Sequence, residues 1–318
     1  MGTPVINPSQ VQALQSFFGE RLRTEELMRD YSVIKVGGPA DFLVTVTSAD
    51  DLESAVRFLW DEKMPFILLG SGSNVLISDA GIREVVLINE AKKVEFIDQP
   101  GQAPLLWAES GASFGGLSRR TGAKGWSGLE WASGIPGTVG GAVVNNAGAF
   151  GADTAENLLL AEILHPIEDR IQRAEWSVDQ FGYDYRTSVI KAGLKPAVVL
   201  SATFELERST PQEVKGKISD IATKRQSSQP GGPSLGSMFK NPPDDYSGRL
   251  IEKAGLKGAR IGDVEISQQH ANFFINHGDA TAQDVAGMLA LVRDKVNEKF
   301  AIELEPEIQF IGDWNKES

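Results

Sequence analysis

Apolar residues along this chain follow two periods. Leu52, Val56, Leu59 and Trp60 recur at helical spacing through 49–63, with Ser48 standing where an N-cap belongs. Val285, Met288, Leu289, Val292 and Val296 do the same through 281–299, all on one helical face. Residues 10–18, 113–121 and 211–226 read as further helices. Between them lie short runs dense in β-branched and aromatic residues, at 42–47, 66–69, 75–77, 85–88, 105–109, 158–165, 173–178, 197–207, 271–275 and 305–310. This interleaving predicts an α/β (α+β) chain. Composition divides it into three segments, 1–90, 91–207 and 208–318, with the polar stretch 207–211 as a linker.

One segment fits neither period. Residues 133–151, SGIPGTVGGAVVNNAGAFG, carry glycines at 134, 137, 140, 141, 148 and 151 and almost no charge. Glycine loses more backbone entropy on folding than any other residue, so such a run gains nothing in stability. Its use is close approach of bare backbone, most often to an anion. Pro136 suits the first position of a short helix, with the amides of Gly137, Thr138 and Val139 facing outward. Gly140-Gly141-Ala142 offers no obstructing side chain, and Asn145 and Asn146 supply donors and acceptors. A glycine-lined helix crossing inside a sheet domain is the other reading of the same spacing.

A second glycine run, Gly70-Ser71-Gly72-Ser73-Asn74, follows a strand, and Glu90 lies about 20 residues on, where a dinucleotide-binding fold keeps its ribose acid. Val75-Leu76-Ile77 then continues as a strand where that fold needs a helix start. A Rossmann site is therefore excluded. Two such runs in one chain point instead to one large phosphate-bearing cofactor.

The 318 residues are 41% hydrophobic, enough for more than one core. With no cysteine, disulfides, thiolate metal sites and a cysteine nucleophile are excluded, and a reducing cytoplasm is expected. A net charge of −12 argues against nucleic acid as a partner. No signal-peptide pattern or membrane-length apolar run is present. The three histidines include His270 and His277, seven apart without acidic or thiol companions, so no metal site is expected.

GSGSNVL at 70–76 and the segment at 133–151 resemble the two FAD-binding motifs of the UDP-N-acetylenolpyruvoylglucosamine reductase family. GGPAD at 37–41, YRTS at 185–188 and GSMFKNP at 236–242 follow the family's order. So do GRLIEKAGLKG at 248–258, ISQQHANFFIN at 266–276 and LEPEIQFIG at 304–312. The resemblance spans 31–312. It implies two domains forming a vanillyl-alcohol-oxidase/PCMH-type FAD-binding unit and a C-terminal α/β domain for substrate. The chain between Lys240 and Asn272 is compact, as in the family's shorter class without an extra tyrosine loop.

The resemblance also implies the chemistry. NADPH reduces non-covalently bound FAD, and flavin N5 then passes hydride to C3 of an enolpyruvyl sugar nucleotide. Ser237 matches the family's proton donor to C2. Arg186 matches the arginine that holds the substrate carboxylate, for which a planar fork is suited. Glu307, rather than Glu305, matches the catalytic glutamate. Gly70, Ser71, Gly72, Ser73, Asn74 and Val75, with Gly134, Ile135, Pro136, Gly137, Thr138, Gly140, Gly141, Ala142 and Asn145, are the implied cofactor contacts. Tyr185, Arg186, Lys240, Asn241, Gln269 and Asn272 are the implied substrate contacts. A monomer is expected, with the oligomeric state left open.

Two features depart from the family pattern. Val33, Ile34 and Lys35 stand where its first motif carries Thr, an aromatic and Arg, which leaves flavin contacts there open. Asn145-Asn146 doubles the asparagine that an apolar residue ordinarily precedes. Two rivals share the fold: an alcohol oxidase, and a non-catalytic flavin binder. Covalent tethering has no support, since His165, His270 and His277 all lie outside the flavin motifs.

Overall fold

The computed structural model describes residues 5–168 and 170–314. The chain forms two compact units. One holds the chain up to Val44, residues 64–87 and the chain from Gln226; the other holds 45–63 and 88–225. Parts of the first and third sequence segments thus fold together.

The second unit is built on five antiparallel strands in the order Arg170–Ser177, Leu158–Ile167, Val198–Glu205, Leu105–Glu109, Val94–Ile97. Val198–Glu205 is buried along all but its last residue, Ser201 and Thr203 included, as suits the central strand of the five. Its core gathers Phe114, Trp131, Val139, Val143, Phe181 and Phe204 from the helices and strands around this sheet. Each such side chain contributes roughly 1.5–3 kcal/mol by leaving water. The predicted helix at 113–121 runs over Phe114–Lys124, with Ser113 accepting from the Gly116 amide and Gly125 left-handed at its end.

The polar stretch at 207–211 is not a linker. Glu207–Arg208 pairs with Trp126–Ser127, the Ser209 amide donates to the Gly125 carbonyl, and Pro211 opens the helix Pro211–Ser228. Its polarity reflects one exposed strand edge and a helix start rather than freedom of the chain.

In the first unit, the apolar face predicted on 281–299 is buried as Val285, Met288, Leu289, Val292 and Val296 of the helix Ala282–Phe300. Thr281 caps that helix, and the Asp79 carboxylate accepts from the Ala282 and Gln283 amides at 2.9 and 3.0 Å. A carboxylate at that end also meets the positive pole of the helix dipole. The helix packs into a core with Ile34, Val36, Leu76, Phe239, Leu250 and Phe274. Ile34, one of the three residues that depart from the family motif, is a core residue here, as is Val36.

The strand predicted at 305–310 is divided. Pro306 has no N–H, and its neighbours bond to one segment while Gln309–Ile311 pairs in parallel with Val75–Ile77. Similarly, of the predicted 271–275, the strand proper is Phe274–Asn276, the edge of a three-stranded antiparallel sheet with Val264–Ile266 and Arg260–Ile261.

Candidate active site

In the first unit, residues 237–240 lie as a middle strand between two partners. On one side Ser237 bridges Phe273, and the Met238 amide donates to the Asn272 carbonyl at 2.9 Å. On the other, the Lys240 amide donates to the Glu305 carbonyl and the Glu307 amide to the Met238 carbonyl, both at 2.9 Å. Ser237 and Glu307, 70 residues apart in sequence, are thereby held on adjacent strands. Gly236 turns the chain into this strand with φ +78°, its amide bonded to Ser234 Oγ at 3.0 Å. The Ser237 hydroxyl is half-buried and takes no hydrogen bond from the described residues. It is free to serve a ligand.

The first glycine loop comes to the same place. Asn74 donates from its side chain to the Glu307 carbonyl at 3.5 Å and accepts the Gln309 amide at 3.0 Å on its own carbonyl. A predicted cofactor residue and a predicted catalytic one thus meet across 233 positions of sequence. Inside the loop, Gly72 has φ +61°, and a Cβ there would lie 2.1 Å from the Tyr31 carbonyl oxygen. That glycine is required by the protein's own backbone, which also donates from Val33 to the Gly72 carbonyl at 3.3 Å.

The other predicted substrate contacts of this unit are already engaged. The Lys240 ammonium pairs with the Glu305 carboxylate at 2.5 Å, and Asn241 Oδ1 accepts the Ser247 amide at 3.0 Å. Gln269 donates to the Gln226 and Ser227 carbonyls at 3.3 and 3.1 Å. Asn272 is buried, with Oδ1 accepting the Phe239 amide at 3.0 Å and Nδ2 donating to the Phe239 carbonyl at 2.8 Å. Its own amide donates to His270 Nδ1 at 3.2 Å, which fixes the neutral tautomer of that ring with its proton on Nε2.

Burial, with the Lys257 charge adding to it, holds the His270 imidazole below its ordinary range. The folded protein then binds fewer protons here than the unfolded chain. This contribution to stability is complete above the unfolded value of about 6.5 and is lost as pH falls through the lower folded value. His165 shifts the same way through burial and the Lys195 charge, so the difference between variants is the informative quantity. Denaturant midpoints between pH 7.5 and 5.5 should fall less steeply for His270→Gln than for the parent; equal slopes would dismiss this role.

In the second unit, the short helix inside the glycine segment begins later than Pro136 suggests. It spans Val139–Asn145, with Thr138 as N-cap accepting from Gly141. A helix opening at Pro136 would have Ile135 as its cap, which has no side-chain acceptor, whereas the Thr138 hydroxyl supplies one, so the helix starts after it. The Val139 amide is spent on the Ala112 carbonyl at 2.9 Å and that of Gly140 on Ser110 at 2.7 Å. Of the three amides expected to face outward, those of Gly137 and Thr138 make no hydrogen bond among the described residues. Gly141 is exposed, and a Cβ there would touch only Thr138 Oγ1, at 3.5 Å. Ser71 is likewise exposed at the other glycine loop. Bare amides and a glycine open to solvent fit the diphosphate and polar edges of a dinucleotide.

The second asparagine of the pair is structural. Asn146 ends the helix in the left-handed region, φ +43°, donates to Asp153 at 3.1 Å and accepts from Ala155 at 3.1 Å. The arginine motif is tied to the end of the same helix. Tyr183 Oη donates to the Val143 carbonyl at 2.7 Å and Ser188 Oγ to that of Val144 at 2.6 Å. Those are carbonyls that a helix end leaves without internal partners. Burial pushes the Tyr183 phenol up, so it remains a donor. Between them, Arg186 has φ +58°, donates from Nη2 to the Gly148 carbonyl at 2.6 Å and lies 5.6 Å from the Tyr185 ring. Tyr185 itself is exposed.

Arg225 was not singled out by the sequence. Its guanidinium lies over the Phe150 ring at 5.2 Å, and its Cδ is the nearest atom to a Cβ built on Gly134. A lone arginine near the end of a polar helix carries no spacing signal, and only the fold brings it to the glycine segment. Among the described residues, no cluster of His, Asp or Glu could hold a metal ion. No helix there is long and apolar enough to cross a membrane.

The chain is a flavin-dependent oxidoreductase. Residues 40–167 match the model of an FAD binding domain, and 226–311 match the C-terminal domain of UDP-N-acetylenolpyruvoylglucosamine reductase. Among curated relatives of that name, the one from Rubrobacter xylanophilus is 42% identical over 91% of this chain and 95% of its own. That from Chloroflexus aggregans is 40% identical, covering 91% and 97%. That from Staphylococcus aureus is 36% identical over 99% of this chain and all of its own. The crystal structure of the Thermus caldophilus enzyme superposes with a TM-score of 0.75 at 33% identity, over 91% of this chain and 99% of that one. The chain belongs to the UDP-N-acetylenolpyruvoylglucosamine reductase family. It is an FAD-containing oxidoreductase of peptidoglycan precursor synthesis.

Proposed function

We propose that the chain reduces UDP-N-acetylglucosamine enolpyruvate to UDP-N-acetylmuramate with NADPH as the electron source, acting as a cytoplasmic monomer. The observation that carries this reading is the meeting of Asn74, Glu307 and the Ser237 strand within one unit. The residues of 70–75 and of 134–145 would hold FAD, with the Gly137 and Thr138 amides available to its diphosphate. When bound, FAD supplies a carrier that takes hydride from NADPH and delivers it to C3 of the enolpyruvyl group.

The protein's own part is to hold the substrate carboxylate and to give C2 a proton. Ser237 suits the second task because its hydroxyl is accessible and uncommitted, and a carbanionic centre is basic enough to take a proton from it. Arg186 suits the first, with a fork that opposes the charge gathering on the carboxylate. Its donation to Gly148 fixes the planar group. Glu307 is the acid nearest in the strand pairing to Ser237 and completes the set. Lys240, Asn241, Gln269 and Tyr185 are the further substrate contacts that the family resemblance implies, and Arg225 is a cation beside Gly134 of the glycine segment.

An anaerobic titration tests the whole reading. NADPH should bleach the visible flavin band, and the enolpyruvyl sugar nucleotide should restore it with stoichiometric product. A flavin that stays reduced with substrate and recovers only with oxygen would overturn the proposal in favour of an oxidase.

A further inference from the structure

We infer that Asn272 is a positioning residue that sets the Ser237 strand, rather than a residue that touches substrate. Both hydrogen-bonding groups of Phe239 end on one carboxamide: the Phe239 amide donates to Oδ1 at 3.0 Å, and Nδ2 donates to the Phe239 carbonyl at 2.8 Å. In a β-ladder a residue directly opposite supplies that donor and acceptor from its backbone. Here a side chain supplies them, while the backbone carbonyl of Asn272 takes the Met238 amide at 2.9 Å. The Asn272 amide is anchored in turn on His270 Nδ1, and the Ser267 hydroxyl accepts the His270 amide at 3.3 Å.

Four bonds therefore run through Asn272, and it is 2% exposed. A side chain so placed has little surface left for a ligand. Phe239, at 1% exposure, has no water to replace the carboxamide. What the clamp fixes is the register of residues 237–240 against 272–273. The groups flanking Phe239 on that strand are Ser237, two residues before, and Lys240, one after. Proton delivery from a hydroxyl to a carbon depends on placement more than on acidity, and a displacement near 1 Å can cost about a hundredfold in rate.

The chemistry of the clamp is specific. It needs one donor and one acceptor in one plane, which a neutral amide has and a carboxylate lacks. Asn272→Leu removes both. Asn272→Asp as the anion sets an acceptor against the Phe239 carbonyl, but as the neutral acid it again offers a donor and an acceptor.

This inference rests on the functional reading above, and the test separates the two. In stopped-flow measurements, Asn272→Leu should leave flavin reduction by NADPH within about twofold. It should slow reoxidation at saturating substrate by about a hundredfold. The substrate concentration for half-saturation should hold. A raised half-saturation with an unchanged saturated rate would make Asn272 a substrate contact and overturn the inference. Equal loss in both half-reactions, or no loss, would also overturn it. Asn272→Asp should recover as pH is lowered, read as its ratio to the parent at each pH. That ratio removes the shared titration of His270, Lys240, Glu252, Glu305 and Glu307. If it stays flat, the donor–acceptor account is wrong. Ser237→Ala is run alongside. Should it leave reoxidation untouched, the functional reading falls; should it slow reoxidation while both Asn272 variants do not, only the clamp falls.

Discussion

Ser237→Ala is expected to reduce its flavin with NADPH at close to the parental rate and then to stall with the enolpyruvyl substrate. Its reoxidation should be slower by about 10²–10⁴-fold, the range for loss of a positioned general acid. The split follows from what the hydroxyl does. It is half-buried, makes no hydrogen bond among the described residues and supports no part of the fold, so its removal leaves the strand pairing of 237–240 intact. A proton to carbon is needed only after hydride has left the flavin. Single-turnover kinetics of the two half-reactions measures this directly. Equal slowing of both would mean that the substitution disturbs the flavin site. Unimpaired reoxidation would assign the proton to another group.

The same strand shows which parts of the site the sequence made legible. The helix bearing Val285 to Val296 was readable because one apolar face follows a local period, and its residues bury as expected. The site itself was readable only through ordered motifs. Nothing in a Gly-Ser-Met or a Pro-Glu tells that the Met238 carbonyl and the Glu307 amide are bonded, since strand pairing over 70 residues leaves no local trace. The resemblance implies substrate contacts at Lys240, Gln269 and Asn272, and the fold pairs the first with Glu305 and the others with backbone. Pro136 carries a helix-start signal of its own, but the residue whose side chain caps the helix is Thr138, two residues on. Arg225 was invisible for a different reason: its place over Phe150 depends on where a helix ends.

Glycine content was the strongest local signal, yet it mixed two physical causes that substitution separates. Gly72→Ala would set a Cβ 2.1 Å from the Tyr31 carbonyl and hold a non-glycine residue at φ +61°. The left-handed backbone alone costs about 1–2 kcal/mol, and displacing a neighbouring carbonyl adds to it. This variant should therefore lose stability even without flavin, and its affinity for FAD should fall with the fold. Gly141→Ala should behave in the opposite way. Its Cβ meets only Thr138 Oγ1, at an ordinary 3.5 Å, and alanine is better than glycine inside a helix by roughly 0.5–1 kcal/mol. The flavin-free protein should be as stable as the parent or slightly more so. FAD affinity should nevertheless drop by about tenfold or more, because a methyl forced into a filled contact costs roughly 1–3 kcal/mol. Denaturant unfolding of the flavin-free protein, paired with flavin titration, checks both variants. A Gly141→Ala protein that binds FAD normally would mean that the backbone at 141 does not meet the cofactor. A flavin-free Gly141→Ala protein that is destabilised would return that glycine to the fold, leaving the amides of Gly137 and Thr138 to carry the cradle alone.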